Sequence, residues 1–361
     1  MNSIILRGLG TATPPLYATQ EEAYEFFNTH YPLKQSEQDL YRRILLDGKI
    51  KGRYLGMETT EDALETNPDK LLARFLTFGR STAVAAAREA LAEAGVEPAE
   101  IAGLIVNTCT GYLCPGLSSY IAQDLGLRTS IRFQDLMGMG CGAALPNLES
   151  AAGMLMRSVE GPILSIAVEV CTATMFPSHD PEQVVSNCIF GDGAAAAVLD
   201  LLPDDRPGGL ARMVDFAAGL FPKHRAELCY RTEGGLLRNH LSMRVPVVGA
   251  RTGKEVASRL LAWHGLSPDD IDWWAVHPGG TVVLDQVSKE LELTREVLRF
   301  SYDVFQNYGN MSSPTVLFVL RQLLDSGLAK PGQRGMLLAF GVGFSAFAGL
   351  IEFTGTPSRV C

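Results

Sequence analysis

The sequence predicts an α/β protein built from two related halves, and three observations predict it. The first is a duplicated segment. Residues 87–106 contain a helical run that stops at Gly95, a short loop through Pro98 to Ile101, and an apolar stretch ending at Val106. Residues 257–276 repeat it, with Gly265, Pro268 and Ile271 in register and Val276 at the end. Apolar residues recur at helical spacing before each glycine, and glycine is the residue best suited to close a helix. The second observation is that Phe190-Gly-Asp-Gly and Phe340-Gly-Val-Gly each lead from a glycine turn into an apolar strand. The third is looser. Gly140-Cys141 and Asn310-Met311-Ser312 both open helical runs after short loops.

Taken in order, the segment around Ser3 to Gly8 reads as a first strand rather than a signal peptide, because its apolar run is too short. The first duplicated unit follows. Leu136 and Met137 end a strand-like run, and Leu148 to Met156 carry a helical pattern. The polar, turn-rich stretch Leu201 to Gly209 is the expected join, dividing the chain into halves 1–205 and 206–361. The second unit ends at His277-Pro-Gly279-Gly280, a strand end followed by a tight turn. Thr315 to Leu324 is a helical run, and the Phe340 turn precedes the last strand. Alternating strands and helices imply a mixed or mostly parallel sheet with buried strands.

Composition narrows the function. With 361 residues, 47% of them hydrophobic, there is ample material for one large core or two fused ones. A formal net charge of -9 argues against a nucleic-acid partner. Seven scattered cysteines, without zinc-ligand spacing, suggest free thiols in a reducing, cytoplasmic setting. No apolar run approaches the ~20 residues of a membrane span, so no stable membrane association is expected. No metal site is visible, and the Gly-x-Gly turns lack the remainder of a dinucleotide fingerprint.

Cys141 lies in Gly138-Met-Gly140-Cys141-Gly142-Ala, at the expected start of a helix. Unpaired N–H groups and the helix dipole there favour thiolate, and the glycines leave room for an acyl group. A lone cysteine in such a seam is more often a small buried residue. His277 taken alone is a core histidine, and Asn310 a helix cap. On matching ends of a duplicated fold, the three form a Cys–His–Asn set. Histidine can accept the thiol proton, and histidine and asparagine can donate to a developing enolate oxygen.

These blocks, with Phe190-Gly-Asp-Gly and Tyr308-Gly-Asn310-Met-Ser-Ser, resemble the signature blocks of type III polyketide synthases, the chalcone-synthase-like enzymes. The resemblance covers most of the chain. It implies a thiolase-like fold of two duplicated α/β halves, with mixed five-stranded sheets in a layered arrangement. It also implies a homodimer that condenses malonyl-CoA onto an acyl-CoA starter, with CoA thioesters as substrates and no cofactor. By motif, Cys141 would carry the growing chain, His277 and Asn310 would support decarboxylation, and Phe190 would be a gatekeeper. Cys109, Thr110, Cys171 and Thr174 fall on pocket positions, with Gly279 and Gly280 beside the histidine. Met243 and Leu241 are candidates for a second gatekeeper. Arg43 matches a CoA-binding cation, whereas Asp47 stands where a lysine is usual; Lys49, Lys51 and Arg53 are nearby replacements.

The blocks look closest to bacterial alkylpyrone and alkylresorcinol synthases, implying a medium- or long-chain fatty acyl starter. A small-starter or malonyl-only synthase making a tetrahydroxynaphthalene or phloroglucinol type of product is the alternative. A ketoacyl-carrier-protein synthase III and a silent acyl-CoA binder are the remaining readings. The usual Gly-Phe-Gly-Pro-Gly loop is replaced by Gly341-Val-Gly-Phe-Ser345, which leaves the ring-closure mode open.

Overall fold

The computed structural model describes residues 2–157, 161–203 and 208–355. The expected boundary between residues 205 and 206, and the seventh cysteine, Cys361, lie outside these residues. The strands are β1 (Asn2–Ala12), β2 (Leu16–Thr19), β3 (Gly52–Leu55), β4 (Gly103–Thr108), β5 (Arg132–Met137), β6 (Ile163–Glu169), β7 (Gly193–Pro203), β8 (Ala211–Leu220), β9 (Leu228–Glu233), β10 (Leu236–Leu241), β11 (Trp273–Val276), β12 (Arg334–Gly341) and β13 (Ser345–Phe353). The helices are α1 (Gln20–His30), α2 (Gln35–Leu45), α3 (Pro68–Ala94), α4 (Leu117–Leu125), α5 (Ala144–Met156), α6 (Pro181–Ile189), α7 (Val245–Trp263), α8 (Thr281–Leu291), α9 (Arg299–Tyr308) and α10 (Thr315–Asp325).

The repeat read from sequence is a repeat in space. Gly95 and Gly265 adopt φ of 59° and 65°, the left-handed conformation that closes α3 and α7. In both, the next residue's N–H reaches back into the last turn: Val96 to the Leu91 carbonyl at 3.1 Å, Leu266 to Leu261 at 2.9 Å. The strands β4 and β11 follow. The first half orders its strands β4-β6-β7-β1 and the second β11-β12-β13-β8. Each series is parallel at the first step and antiparallel at the next two. The first half adds β5 as an outer edge strand.

The expected pair of five-stranded sheets is instead one nine-stranded sheet, five strands from the first half and four from the second. The join is short. β1 and β8 pair only through Ile5 with Arg212 and Leu6 with Ala211. A pairing of that length leaves the sheet free to wrap, and the packing is layered. α3 covers the outer face of the first half and α7 that of the second. Between them, α5 touches β4, β6 and β7 and also β8 and β13, while α10 touches β1 and β7 and also β11 and β12. The central core therefore mixes residues of both halves, such as Leu148, Leu199, Leu317 and Leu337. No helix among the described residues is long and apolar enough to cross a membrane.

Candidate active site

The ends of β4 and β6, the turn before α5 and the segment before α10 meet at this central layer. Gly140–Gly142 form a single 3-10 turn that leads into α5, and Cys141 is its middle residue. The turn needs glycine. Gly140 has φ of 64°, and a side chain at Gly142 would collide with Phe347. Gly341 is equally constrained, since a Cβ there would lie 2.2 Å from the Met139 carbonyl oxygen.

His277 follows β11 directly. Its N–H donates to the Leu338 carbonyl on β12 at 2.8 Å. β12 runs on to Gly341, and the next N–H, that of Val342, donates to the Met139 carbonyl at 3.3 Å. Histidine and cysteine are thus carried at the same end of β12, on its two flanks. The His277 side chain is 2% exposed, and its Nδ1 has no hydrogen-bond partner among the described residues. No carboxylate among the described residues pairs with the ring.

Asn310 comes from the other direction. Its N–H donates to the Ile189 carbonyl at 2.9 Å, and its carbonyl accepts from the Gly191 N–H at 3.0 Å. Its Oδ1 accepts from the Ser312 N–H at 2.8 Å, so the amide NH2 is left to face the thiol. The Asn310 and Ser312 side chains both favour the thiolate of Cys141 by hydrogen bonding.

The thiolate expected from the helix terminus is nevertheless not the resting form. Burial pushes the Cys141 thiol up to about 12, and the neighbouring Glu169 charge adds to the rise. Burial also pushes the His277 imidazole down to about 3. Dipole effects at a helix end are worth ~0.3–2 kcal/mol, less than the desolvation of a buried anion. Burial thus favours the neutral form of both the thiol and the imidazole.

Glu169, at the end of β6, was not singled out in the sequence. It is 1% exposed and ringed by donors. Oε2 accepts from Thr108 Oγ1 at 3.1 Å, Thr110 Oγ1 at 2.9 Å and the Cys109 N–H at 2.9 Å. Oε1 accepts from Ser313 Oγ at 2.7 Å and from Cys109 Sγ at 3.4 Å. Burial raises its pKa. The available signal was a single acid inside the apolar run Ile163 to Val170.

The remaining expected site residues divide. Cys109 lines a cavity of about 530 Å3 together with Gly138, Tyr230, Leu237, Val342 and Gly343. Cys171 is buried beside the same cluster; burial raises its thiol pKa well above the ordinary value, with the Asp192 and Glu169 charges adding to the rise. Thr110 is buried, and its hydroxyl serves Glu169 and the Val170 N–H. The Thr174 hydroxyl donates to the Cys171 carbonyl at 2.9 Å. Both threonines hold the wall in place with committed hydroxyls. Phe190 is 6% exposed and bridges to Asn310. The Gly279 N–H donates to the His277 carbonyl at 3.1 Å, and Gly280 precedes α8.

Three expectations need correction. Met243 is 98% exposed and is not an interior gatekeeper of this chain; the N-cap turn of α7 turns it outward. Leu241 instead packs at the edge of the core of the second half. Arg53 is 1% exposed and holds Gln20, the Asn187 carbonyl and the Phe190 carbonyl, so it is no surface cation for phosphate. Arg43, Lys49 and Lys51 are exposed, with Lys51 Nζ 3.4 Å from Asn307 Oδ1. Sequence reasoning also missed the β9–β10 hairpin, which brings Tyr230 to the cavity. Burial raises the Tyr230 phenol, with Cys109, Cys171, Cys141 and Glu169 adding to the shift.

Residues 13–215 match the family model described as FAE1/type III polyketide synthase-like protein. Residues 219–353 match the model of the chalcone and stilbene synthases, C-terminal domain. The chain is 31% identical over 338 residues to 1,3,6,8-tetrahydroxynaphthalene synthase of Streptomyces peucetius subsp. caesius, covering 93% of this chain and 89% of that protein. It is 28% identical over 357 residues to the alpha-pyrone synthesis polyketide synthase-like Pks18 of Mycobacterium tuberculosis, covering 94% and 88%. PKS-I from the brown alga Ectocarpus siliculosus superimposes with a TM-score of 0.90 at 27% identity, over 98% of this chain and 99% of that one.

Proposed function

Since the chain belongs to the type III polyketide synthase family and is an acyl-transferring, condensing enzyme, we propose that Cys141, His277 and Asn310 are its catalytic residues and that its starter is a medium- or long-chain fatty acyl-CoA. The observation that carries the catalytic assignment is the Asn310 amide directed at the Cys141 thiol from a segment far away in sequence.

His277 takes the Cys141 proton as the sulfur attacks the starter thioester, and the CoA thiol leaves with that proton. The acyl group is then held on sulfur. Malonyl-CoA loses CO2, and its thioester oxygen gathers the charge. The Asn310 NH2 and the neutral His277 ring donate to that oxygen. The enolate carbon attacks the Cys141-bound thioester, forming the new carbon–carbon bond and releasing the sulfur. Reloading the extended chain onto Cys141 allows another round, and cyclisation gives an alkylpyrone or alkylresorcinol type of product.

The starter assignment is supported by the apolar and small residues of the adjoining cavity: Cys109, Ala226, Leu237, Val342 and Gly343. A second reading is favoured by Tyr230, whose phenol crowds the same space. It is a malonyl-only synthase with a compact aromatic product; the name of the Streptomyces relative gives a compact aromatic, tetrahydroxynaphthalene, as that protein's product. The N- and C-terminal halves, 1–205 and 206–361, are proposed to supply the cysteine and the histidine–asparagine pair respectively. A homodimer is proposed from the family pattern, supported by the exposed Phe133 and Met137 on edge strand β5.

The test is to incubate the protein with malonyl-CoA and acyl-CoAs of graded length and weigh the products and the intact protein. Acylation at Cys141 and products that grow with the starter are expected, with neither in Cys141→Ala. Turnover of malonyl-CoA alone, without gain from alkyl starters, establishes the second reading. Wild-type product yield from Cys141→Ala rejects the mechanism.

A further inference from the structure

The cavity beside Cys141 is apolar within and positive at its rim. Ser312 joins its inner end to the catalytic sulfur. The Cys109 thiol lies 3.5 Å from Ser312 Oγ, and the Ser312 side chain hydrogen-bonds to Cys141. Gly138, Leu237 and Val342 continue the wall. Two arginines, Arg225 and Arg231, complete it, and both are exposed. In a chain of net charge -9, a pair of cations on the rim of this cavity is a local reversal of sign.

The acids nearest to them in the chain are already engaged. Glu227 pairs with Arg244 at 2.8 Å, and Glu233 with Arg238 at 3.4 Å and His240 at 3.7 Å. Arg225 and Arg231 are left without an acid partner among the described residues. Arg225 follows the single 3-10 turn Pro222–His224, and its N–H donates to the Pro222 carbonyl at 3.2 Å, which sets its backbone. Arg231 stands on β9 directly opposite Arg238 on β10. Like charges at opposed positions of a hairpin destabilise it. Arg238 is offset by Glu233 and lies over the Phe176 ring at 5.4 Å. Arg231 has no such compensation among the described residues, and an anion in the cavity would supply it.

We propose that Arg225 and Arg231 receive a carboxylate at the far end of the acyl chain, so that the preferred starter is a dicarboxylic acyl thioester. This rests on the synthase reading above and refines its starter. The thioester end reaches Cys141, the methylenes lie along Leu237 and Val342, and the terminal carboxylate accepts from the two guanidinium forks. A plain alkyl starter fills the same wall but leaves both cations unmatched.

The test compares hexanedioyl-, octanedioyl- and decanedioyl-CoA with hexanoyl-, octanoyl- and decanoyl-CoA, each with malonyl-CoA as extender. At matched length the wild type should favour the dicarboxylic starter in kcat/KM. That ratio should fall about fivefold in Arg225→Gln and in Arg231→Gln, mainly through KM. Arg231→Lys should retain part of it, and Arg231→Glu should invert it. The ratio should also shrink as salt is raised, because the rim is open to solvent. Removing the charge opposite Arg238 should leave urea unfolding of Arg231→Gln at or above the wild-type midpoint, which separates a lost contact from a damaged fold. A wild type that favours the monocarboxylic starter at every length overturns the carboxylate seat, as does a ratio unchanged in both glutamine variants. Calorimetric titration with the matching thioether analogues, which cannot transfer an acyl group, judges the seat without turnover. The dicarboxylic analogue should bind more tightly to the wild type only. Absence of condensation by the wild type with every starter overturns the synthase reading, while the titration still decides the seat.

Discussion

Phe190 and Asn310 are paired backbone to backbone across an isolated parallel bridge, one residue from each half of the chain. The N–H of Asn310 and that of Gly191 complete the pairing at 2.9 and 3.0 Å. The amide proposed to hold the enolate and the ring proposed to gate the cavity thus move as one unit. Any shift of α6, which ends at Ile189, is transmitted to the carboxamide.

Asn310→Ala removes one of the two donors to the enolate while leaving the backbone bridge in place. Condensation should fall ~10²–10³-fold, with CO2 release from malonyl-CoA falling in parallel. Loss of condensation alone, with CO2 release at the wild-type rate, would place Asn310 outside the decarboxylation step.

Alkylation of Cys141 by iodoacetamide should accelerate with pH across the neutral range, because the thiol sits near 12 and thiolate grows toward that value. Ser312→Ala removes a donor that favours thiolate, so its profile should move to higher pH. Glu169→Gln removes a charge that opposes thiolate, so its profile should move to lower pH. A wild-type rate that is flat from about pH 6 upward would instead indicate a standing thiolate–imidazolium pair.

His277 supplies a pH-dependent stability contribution. Its folded value is about 3 against an ordinary 6.5. Between those limits the unfolded chain binds a proton that the folded chain refuses. The contribution is complete above the ordinary value and is lost as pH falls toward 3. His277→Gln should therefore lose ~2 kcal/mol less stability than the wild type between about pH 7 and 5, measured by urea unfolding. Identical slopes in the two proteins would show that the ring is hydrated in the fold.

Arg53→Lys should destabilise the fold by ~3 kcal/mol, since a single ammonium cannot replace a fork that serves Gln20 and two carbonyls. The preference for CoA over a truncated thioester should be unaffected. A fall in that preference with unchanged unfolding would return Arg53 to the phosphate-binding set.

The duplicated scaffold was legible because its markers are local. Gly95 and Gly265 end helices for a steric reason that any sequence displays, and the apolar runs behind them are long enough to be strands. The spacing of Cys141, His277 and Asn310 was legible through motifs. The ionisation of Cys141 was not, because helix position is written locally whereas burial depends on β6, β12 and the 310–313 segment closing over the sulfur. Glu169 was hidden for a similar reason: its donors come from β4 and from beyond Asn310, brought together only by folding. Arg53 looked like its basic neighbours Lys49 and Lys51, and only the position of Phe190 reveals that it faces inward. Met243 was misplaced because the β9–β10 hairpin that sets the direction of the following chain was not recognised.

The helices α5 and α10 each press against strands of both halves. A separately produced N-terminal or C-terminal piece would present a naked oily flank where its sibling belongs. The two halves are obligate companions: recombination or truncation near the midpoint should yield aggregates rather than smaller working modules.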